Sequence, residues 1–142
     1  MNIAIIGTGV YGIAMATALA QNKNNSIKMW SESDDALNRI EKLRKNFKDL
    51  GGIKLPDKLV FSTSYEEVMK DADLVFIMVA AKYVSSVCEN MKKYISRFNK
   101  ISCREKVGAE MIGKLVERDI EEVVDPTLLL SASEWKQELK LK

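Results

Sequence analysis

Histidine is missing from all 142 residues. That absence removes Ser-His and Cys-His nucleophilic pairs and the usual zinc sites, leaving Lys, Asp, Glu and Tyr to move any proton. Cysteine is scarce: Cys88 and Cys103 lack metal-ligand spacing, and each lies in an apolar stretch where a thiol behaves as a small hydrophobe. Neither sign of charge is in excess. Charged residues make up 30% of the chain but sum to only +2, so no acidic tail or basic stripe recommends nucleic acid or a membrane surface as partner. No segment approaches the roughly 20 apolar residues of a membrane span. The opening Met1-Asn2-Ile3-Ala4-Ile5-Ile6-Gly7 carries no basic leader, and the expected location is cytoplasmic. Internal repeats and low-complexity tracts are also lacking.

What the chain does have is 46% apolar residues, enough for one core, arranged in short runs that alternate between two periods. Residues 2–6 are an isoleucine-rich run that fits a strand buried on both faces. Ile13, Ala14, Ala16, Ala18, Leu19 and Ala20 then continue as a helix of small residues, broken at Asn22-Lys23-Asn24-Asn25. Ile27–Trp30 reads as the second strand. Ser33 caps a helix striped by Ala36, Ile40, Leu43 and Phe47, which ends before Gly51-Gly52. Leu59–Ser62 is a third strand, Ser64 with Glu67 is a capping box, and Leu74–Val79 is a strongly apolar fourth strand expected at the sheet's centre.

The alternation persists further on. Val84, Val87, Cys88, Met91 and Ile95 stripe a helix, Lys100–Cys103 is a strand, and Val107, Met111, Ile112 and Leu115 stripe another helix. Val123-Val124 is a last strand, and Ser131 with Glu134 opens a helix carrying Trp135 and Leu139. Strands alternating with helices imply parallel βαβ units. The expected fold is therefore α/β, a single domain over 1–142 with a doubly wound, Rossmann-type parallel sheet of about six strands.

The chemistry concentrates at Gly7-Thr8-Gly9-Val10-Tyr11-Gly12. A Gly-x-Gly-x-x-Gly string alone is weak, but this one directly follows a buried strand and opens a helix, and the acidic Glu32 ends the second strand twenty residues after Gly12. In that context Gly7 permits the tight turn, Gly9 lets the backbone approach a pyrophosphate, and Gly12 allows close helix–strand packing. The helix N-terminus meets the negative charge. A dinucleotide is the expected partner. Glu32 can accept hydrogen bonds from a ribose hydroxyl and would repel the extra phosphate of NADP, so NAD is the expected cofactor; Ser31 or Ser33 would soften that preference.

Residues 1 to about 98 resemble the N-terminal domain of NAD-dependent glycerol-3-phosphate dehydrogenase. The resemblance rests on the glycine turn, the Lys28-Met29-Trp30 strand end, the stretch from Arg44-Lys45-Asn46 through Leu55-Pro56, and Asp71-Ala72-Asp73-Leu74-Val75. It implies hydride transfer between nicotinamide and glycerol 3-phosphate or dihydroxyacetone phosphate, with Trp30 in the cofactor site and Val79 and Ala80 near the nicotinamide. The chain departs from the family pattern in three places. Val79-Ala80-Ala81 replaces Val-Pro-Ser, Glu32 stands where many bacterial members have arginine, and the Ser-x-x-Lys-Gly stretch is reduced to Lys106-Val107-Gly108. The helical domain that supplies the family's catalytic lysine and substrate phosphate site is not expected in a chain of this length. No catalytic residue is assigned; Lys82 and Lys106 are weak candidates, read first as solvated surface lysines.

Residues 101 to about 136 resemble a fragment of the polysaccharide pyruvyl transferase family, through Ser102-Cys103-Arg104-Glu105-Lys106, Gly108-Ala109-Glu110, Asp125-Pro126-Thr127-Leu128-Leu129-Leu130 and Trp135. That resemblance implies a fusion, with 99–142 a βαβ step and terminal helix of different origin. Three functions follow as alternatives. The chain is the cofactor half of an oxidoreductase, completed by a partner chain; or a non-catalytic dinucleotide-binding domain that self-associates as a homodimer; or a recombined product without activity.

Overall fold

The computed structural model describes residues 1–45, 47–103 and 106–123. Contacts group the chain into two compact units, Met1–Val84 and Ser85–Lys142.

In the first unit four parallel strands, β1 (Asn2–Ile6), β2 (Ser26–Trp30), β3 (Leu59–Ser62) and β4 (Leu74–Ile77), lie in the order β3-β2-β1-β4. The chain steps outward from β1 to β2 to β3 and then returns to the other side of β1. Because parallel crossovers are right-handed, that reversal puts helices on both faces. The alternation of β2 shows it directly. Ile27 and Met29 are buried, with Met29 against Gly12 of α1 (Val10–Leu19), while Lys28 Nζ donates to the Glu67 carbonyl of α3 (Tyr65–Met69) on the opposite face. Ile3, Ile5, Ile13, Ala16, Ile27, Met29, Ile40 and Leu59 form the core.

Two expectations need correction here. The central strand is β1, buried from Ile3 to Ile6, whereas β4 ends its sheet among the described residues, with Leu74 exposed and the rest half-buried. The apolar run that suggested a buried centre stops being strand at Ile77. The second correction concerns α2 (Asp34–Leu43), capped by Ser33 as expected. Its stripe does not extend to Phe47, because Arg44 redirects the chain. The Arg44 guanidinium is held by Glu41 and donates to the carbonyls of Pro56 and Leu59, and the Arg44 carbonyl accepts from Leu55 N–H. Phe47 is buried all the same, bridged antiparallel to Ile53.

The second unit has its own smaller core of Val87, Cys88, Met91, Ile95, Ala109 and Ile112. These come from the later part of α4 (Ala81–Asn90), from Met91, from α5 (Lys92–Ile95) and from α6 (Lys106–Val116). The α6 stripe is only half right: Ile112 is buried, but Val107 and Met111 are exposed and Ala109 takes the inner position. Its strands, β5 (Ser102–Cys103) and β6 (Glu121–Glu122), are two residues each and pair in parallel. β6 thus precedes the Val123-Val124 position expected from sequence, and Val123 N–H still donates to the Cys103 carbonyl. Burial, assisted by nearby Cys103, pushes the Cys88 thiol up to about 11, so it is an uncharged core group at neutral pH. Trp135, Leu139 and the Ser131/Glu134 cap lie outside the described residues. Among the described residues no helix is long and apolar enough to cross a membrane.

Candidate dinucleotide-binding site

The glycine turn occupies the carboxyl end of β1, between the strand ends on either side of it. Gly7 N–H donates to the Trp30 carbonyl (3.0 Å), and Met78 N–H donates to the Ile6 carbonyl (2.8 Å). The backbone turns at Gly7 with φ +117°, and a Cβ there would lie 2.5 Å from the Met78 carbonyl oxygen. Only glycine fits, on both counts. Gly12 is equally constrained, since its Cβ would stand 2.3 Å from the Gly7 oxygen. α1 can therefore sit directly on the turn.

Gly9 differs from both. It precedes α1 in extended conformation, at φ −67° and ψ 171°, and a Cβ there would meet nothing within 4 Å. This glycine is not demanded by packing. The space beside it opens at the first turn of α1, which contains no acidic residue and no side-chain cap. The leading N–H groups of a helix lack intrahelical partners and carry the positive end of its dipole, so the position suits an anion. A pyrophosphate fits these residues, with Gly9, Val10, Tyr11 and Gly12 supplying backbone N–H groups. Val10 and Tyr11 project outward and are exposed.

Thr8 Oγ1 lies 2.8 Å from Ser31 Oγ, a tie the sequence reading missed. Ser31 is fully buried, and its N–H donates to the Ser62 carbonyl (3.0 Å). A small polar residue directly after an apolar strand was the available signal, but serine there is equally compatible with a loop. Trp30 is positioned mainly toward α3: its indole N–H donates to the Thr63 carbonyl (2.9 Å), and its ring stacks on Tyr65 with centroids 4.3 Å apart and planes 13° off parallel. Its backbone, rather than its ring, touches the glycine turn. Glu32 follows β2 and is exposed. Val79 reaches the turn, its Cγ1 3.1 Å from where a Gly7 side chain would begin, and Ala80 is exposed just beyond it. Glu32 and Val79 thus follow two strands that flank β1, at the point where strand order reverses and open α/β sheets bind ligands.

Lys82 is exposed, its Nζ over the Tyr83 ring at 4.8 Å, and Lys106 is exposed at the start of α6 in the other unit. No cluster of three or more potential metal ligands occurs among the described residues.

Comparison with known proteins agrees with this geometry. Residues 2–132 match the family model for the N-terminus of NAD-dependent glycerol-3-phosphate dehydrogenase. A glycerol-3-phosphate dehydrogenase (NAD(P)+) of Bacillus anthracis is 28% identical over 145 residues, covering 99% of this chain and 42% of the relative. The chain thus spans less than half the length of such relatives. Among solved structures, glycerol-3-phosphate dehydrogenase from Coxiella burnetii aligns with a TM-score of 0.69 at 22% identity, over 82% of this chain and 38% of that one. The lactate dehydrogenase of Cryptosporidium parvum, solved with substrate and nicotinamide adenine dinucleotide, aligns at 0.56 and 17% identity over 82% of this chain and 42% of its own, a likeness of fold. The family match runs unbroken through residues 101–132, so the pyruvyl transferase resemblance there has no support and no second origin is needed. From residue 2 to residue 132 this chain belongs to the family of the N-terminus of NAD-dependent glycerol-3-phosphate dehydrogenase, and its cofactor is NAD.

Proposed function

We propose that the chain is the NAD(H)-holding half of an oxidoreductase that interconverts glycerol 3-phosphate and dihydroxyacetone phosphate. The observation that carries this reading is the contrast among three glycines. Gly7 and Gly12 are required by packing, whereas Gly9 faces open space at a helix N-terminus. A turn kept only for the fold has no use for that third glycine; a pyrophosphate approaching the backbone does. Glu32 would accept the adenosine ribose hydroxyls and repel a 2′-phosphate, favouring NAD over NADP. Val79 and Ala80, beyond β4, lie on the nicotinamide side. The bound cofactor supplies the hydride donor or acceptor, and the chain's own residues bind and orient it.

Oxidising an alcohol also requires a base, and a phosphate substrate requires cations. Lys82 and Lys106 are exposed, as solvated surface lysines are, and the reading assigns those groups to a substrate domain in a longer chain or a partner. Exposed Val10, Tyr11 and Tyr83, in the first turns of α1 and α4, are the surface such a domain would cover; self-association over the same residues is the alternative.

Calorimetric titration with NADH and NADPH tests the reading. Micromolar NADH binding is expected, with NADPH weaker by about tenfold, the scale of one added charge repulsion near a protein surface. Gly9→Val should weaken NADH binding by about a hundredfold while lowering the melting temperature only by the small cost of a poorer helix cap, because a Cβ there meets nothing within 4 Å. A well-folded wild type that binds neither nucleotide would refute the proposal.

A further inference from the structure

Ser31 is a fully buried polar residue, and its hydroxyl contacts the hydroxyl of Thr8 inside the glycine turn at 2.8 Å. Its backbone is fixed independently: Ser31 N–H extends the β2–β3 ladder to the Ser62 carbonyl, and the preceding Trp30 carbonyl accepts from Gly7 N–H. The turn is therefore tied to the end of β2 twice, once through the backbone at Gly7 and once through side chains at Thr8. The second tie is the one that reaches past Gly7 toward Gly9, where the backbone must present its N–H groups. On its far side the turn is held at the Gly9 carbonyl, which accepts from Ile13 N–H (3.0 Å), so Thr8 is the residue between the two backbone anchors. Holding Thr8 fixes that stretch before any ligand arrives, and ordering that need not occur on binding is affinity retained.

We propose that Ser31 is a positioning residue for the cofactor: through Thr8 it holds the glycine turn in the conformation that receives a pyrophosphate. The inference rests on the NAD-binding reading above. Ser31 itself, having no exposed surface, touches no ligand.

The test is a double-mutant cycle, read by calorimetric titration with NADH and with ADP-ribose, which keeps the pyrophosphate and lacks nicotinamide. Ser31→Ala should weaken both ligands about fivefold, the scale of one net hydrogen bond. It should cause no further loss in a Thr8→Val background, since the tie is already gone. Thr8→Ser, which keeps the hydroxyl, should bind as wild type does; a role confined to fold stability would not give this rescue. Unchanged affinity in Ser31→Ala, or full additivity of the two losses, would overturn the inference while the NAD reading stands. If Ser31→Ala does not fold, Thr8→Val against Thr8→Ser tests the same tie from its other end, and equal affinities there overturn it. Absence of NADH binding by the wild type would remove the cofactor reading and this inference with it.

Discussion

The two units of this chain solve the same problem on different scales. Met1–Val84 builds strands of four and five residues into a four-stranded sheet, with β1 buried from Ile3 to Ile6. Ser85 onward builds, among the described residues, two strands of two residues each and relies on helix-borne side chains such as Val87, Ile95 and Ile112 for its core. Every residue placed at the candidate cofactor site lies in the first unit. The difference teaches where precision is needed. A pyrophosphate site requires backbone N–H groups fixed to within a fraction of an ångström, and a central strand held on both sides supplies that rigidity.

Glycine substitution breaks the comparison most sharply. In Gly12→Ala the new Cβ runs into the backbone oxygen of Gly7 at 2.3 Å, where nothing can move aside cheaply. The expected cost is about 3 kcal/mol or more, measured by urea denaturation. Gly108→Ala in the second unit meets only the Cys103 sulfur, at 2.7 Å, a side-chain atom one torsion from its backbone. The gain in helix propensity there is about 1 kcal/mol, and the two effects should nearly cancel. Equal destabilisation by both substitutions would mean that the second unit is packed as rigidly as the first.

A smaller effect concerns Cys88, whose thiol is raised from 9.0 to about 11 by burial and by Cys103. A raised folded pKa stabilises the fold below the unfolded value and loses that contribution as pH climbs through the folded one. Stability of the second unit should therefore be intact below pH 9.0 and decline toward pH 11. In Cys88→Ala this part of the decline should vanish, leaving a shallower slope in parallel urea titrations. The smallest expected effect is at Glu117, held at φ 55° after α6, where Arg118 N–H bonds back to the Gly113 carbonyl. This is a left-handed helix stop that favours glycine, and Glu117→Gly should raise stability by about 0.5–1 kcal/mol. Thermal melting checks it, with no change expected in NADH affinity.

The sequence by itself determined the order of elements in the first unit, because the isoleucine run of β1, the caps at Ser33 and Ser64 and the glycine turn are local signals. It also singled out the candidate cofactor site, since Gly-x-Gly-x-x-Gly and Glu32 carry their meaning in spacing. Tertiary structure decided the rest. That Phe47 lies outside α2 depends on carbonyls twelve and fifteen residues away claiming Arg44, and β4, apolar as it is, ends its sheet among the described residues. Which apolar face of α6 turns inward was decided by packing, not by periodicity, since Ala109 took the place expected of Val107. The division of roles among the glycines was expected from the motif, but what each side chain would meet was supplied by the fold. Three identical residues differ in what a side chain would meet, a carbonyl at Gly7, another at Gly12 and open space at Gly9, and in the positive φ that Gly7 alone of the three adopts. Periodicity and spacing act along the chain, whereas steric exclusion and the Ser31–Thr8 hydroxyl contact act between segments that only folding brings together.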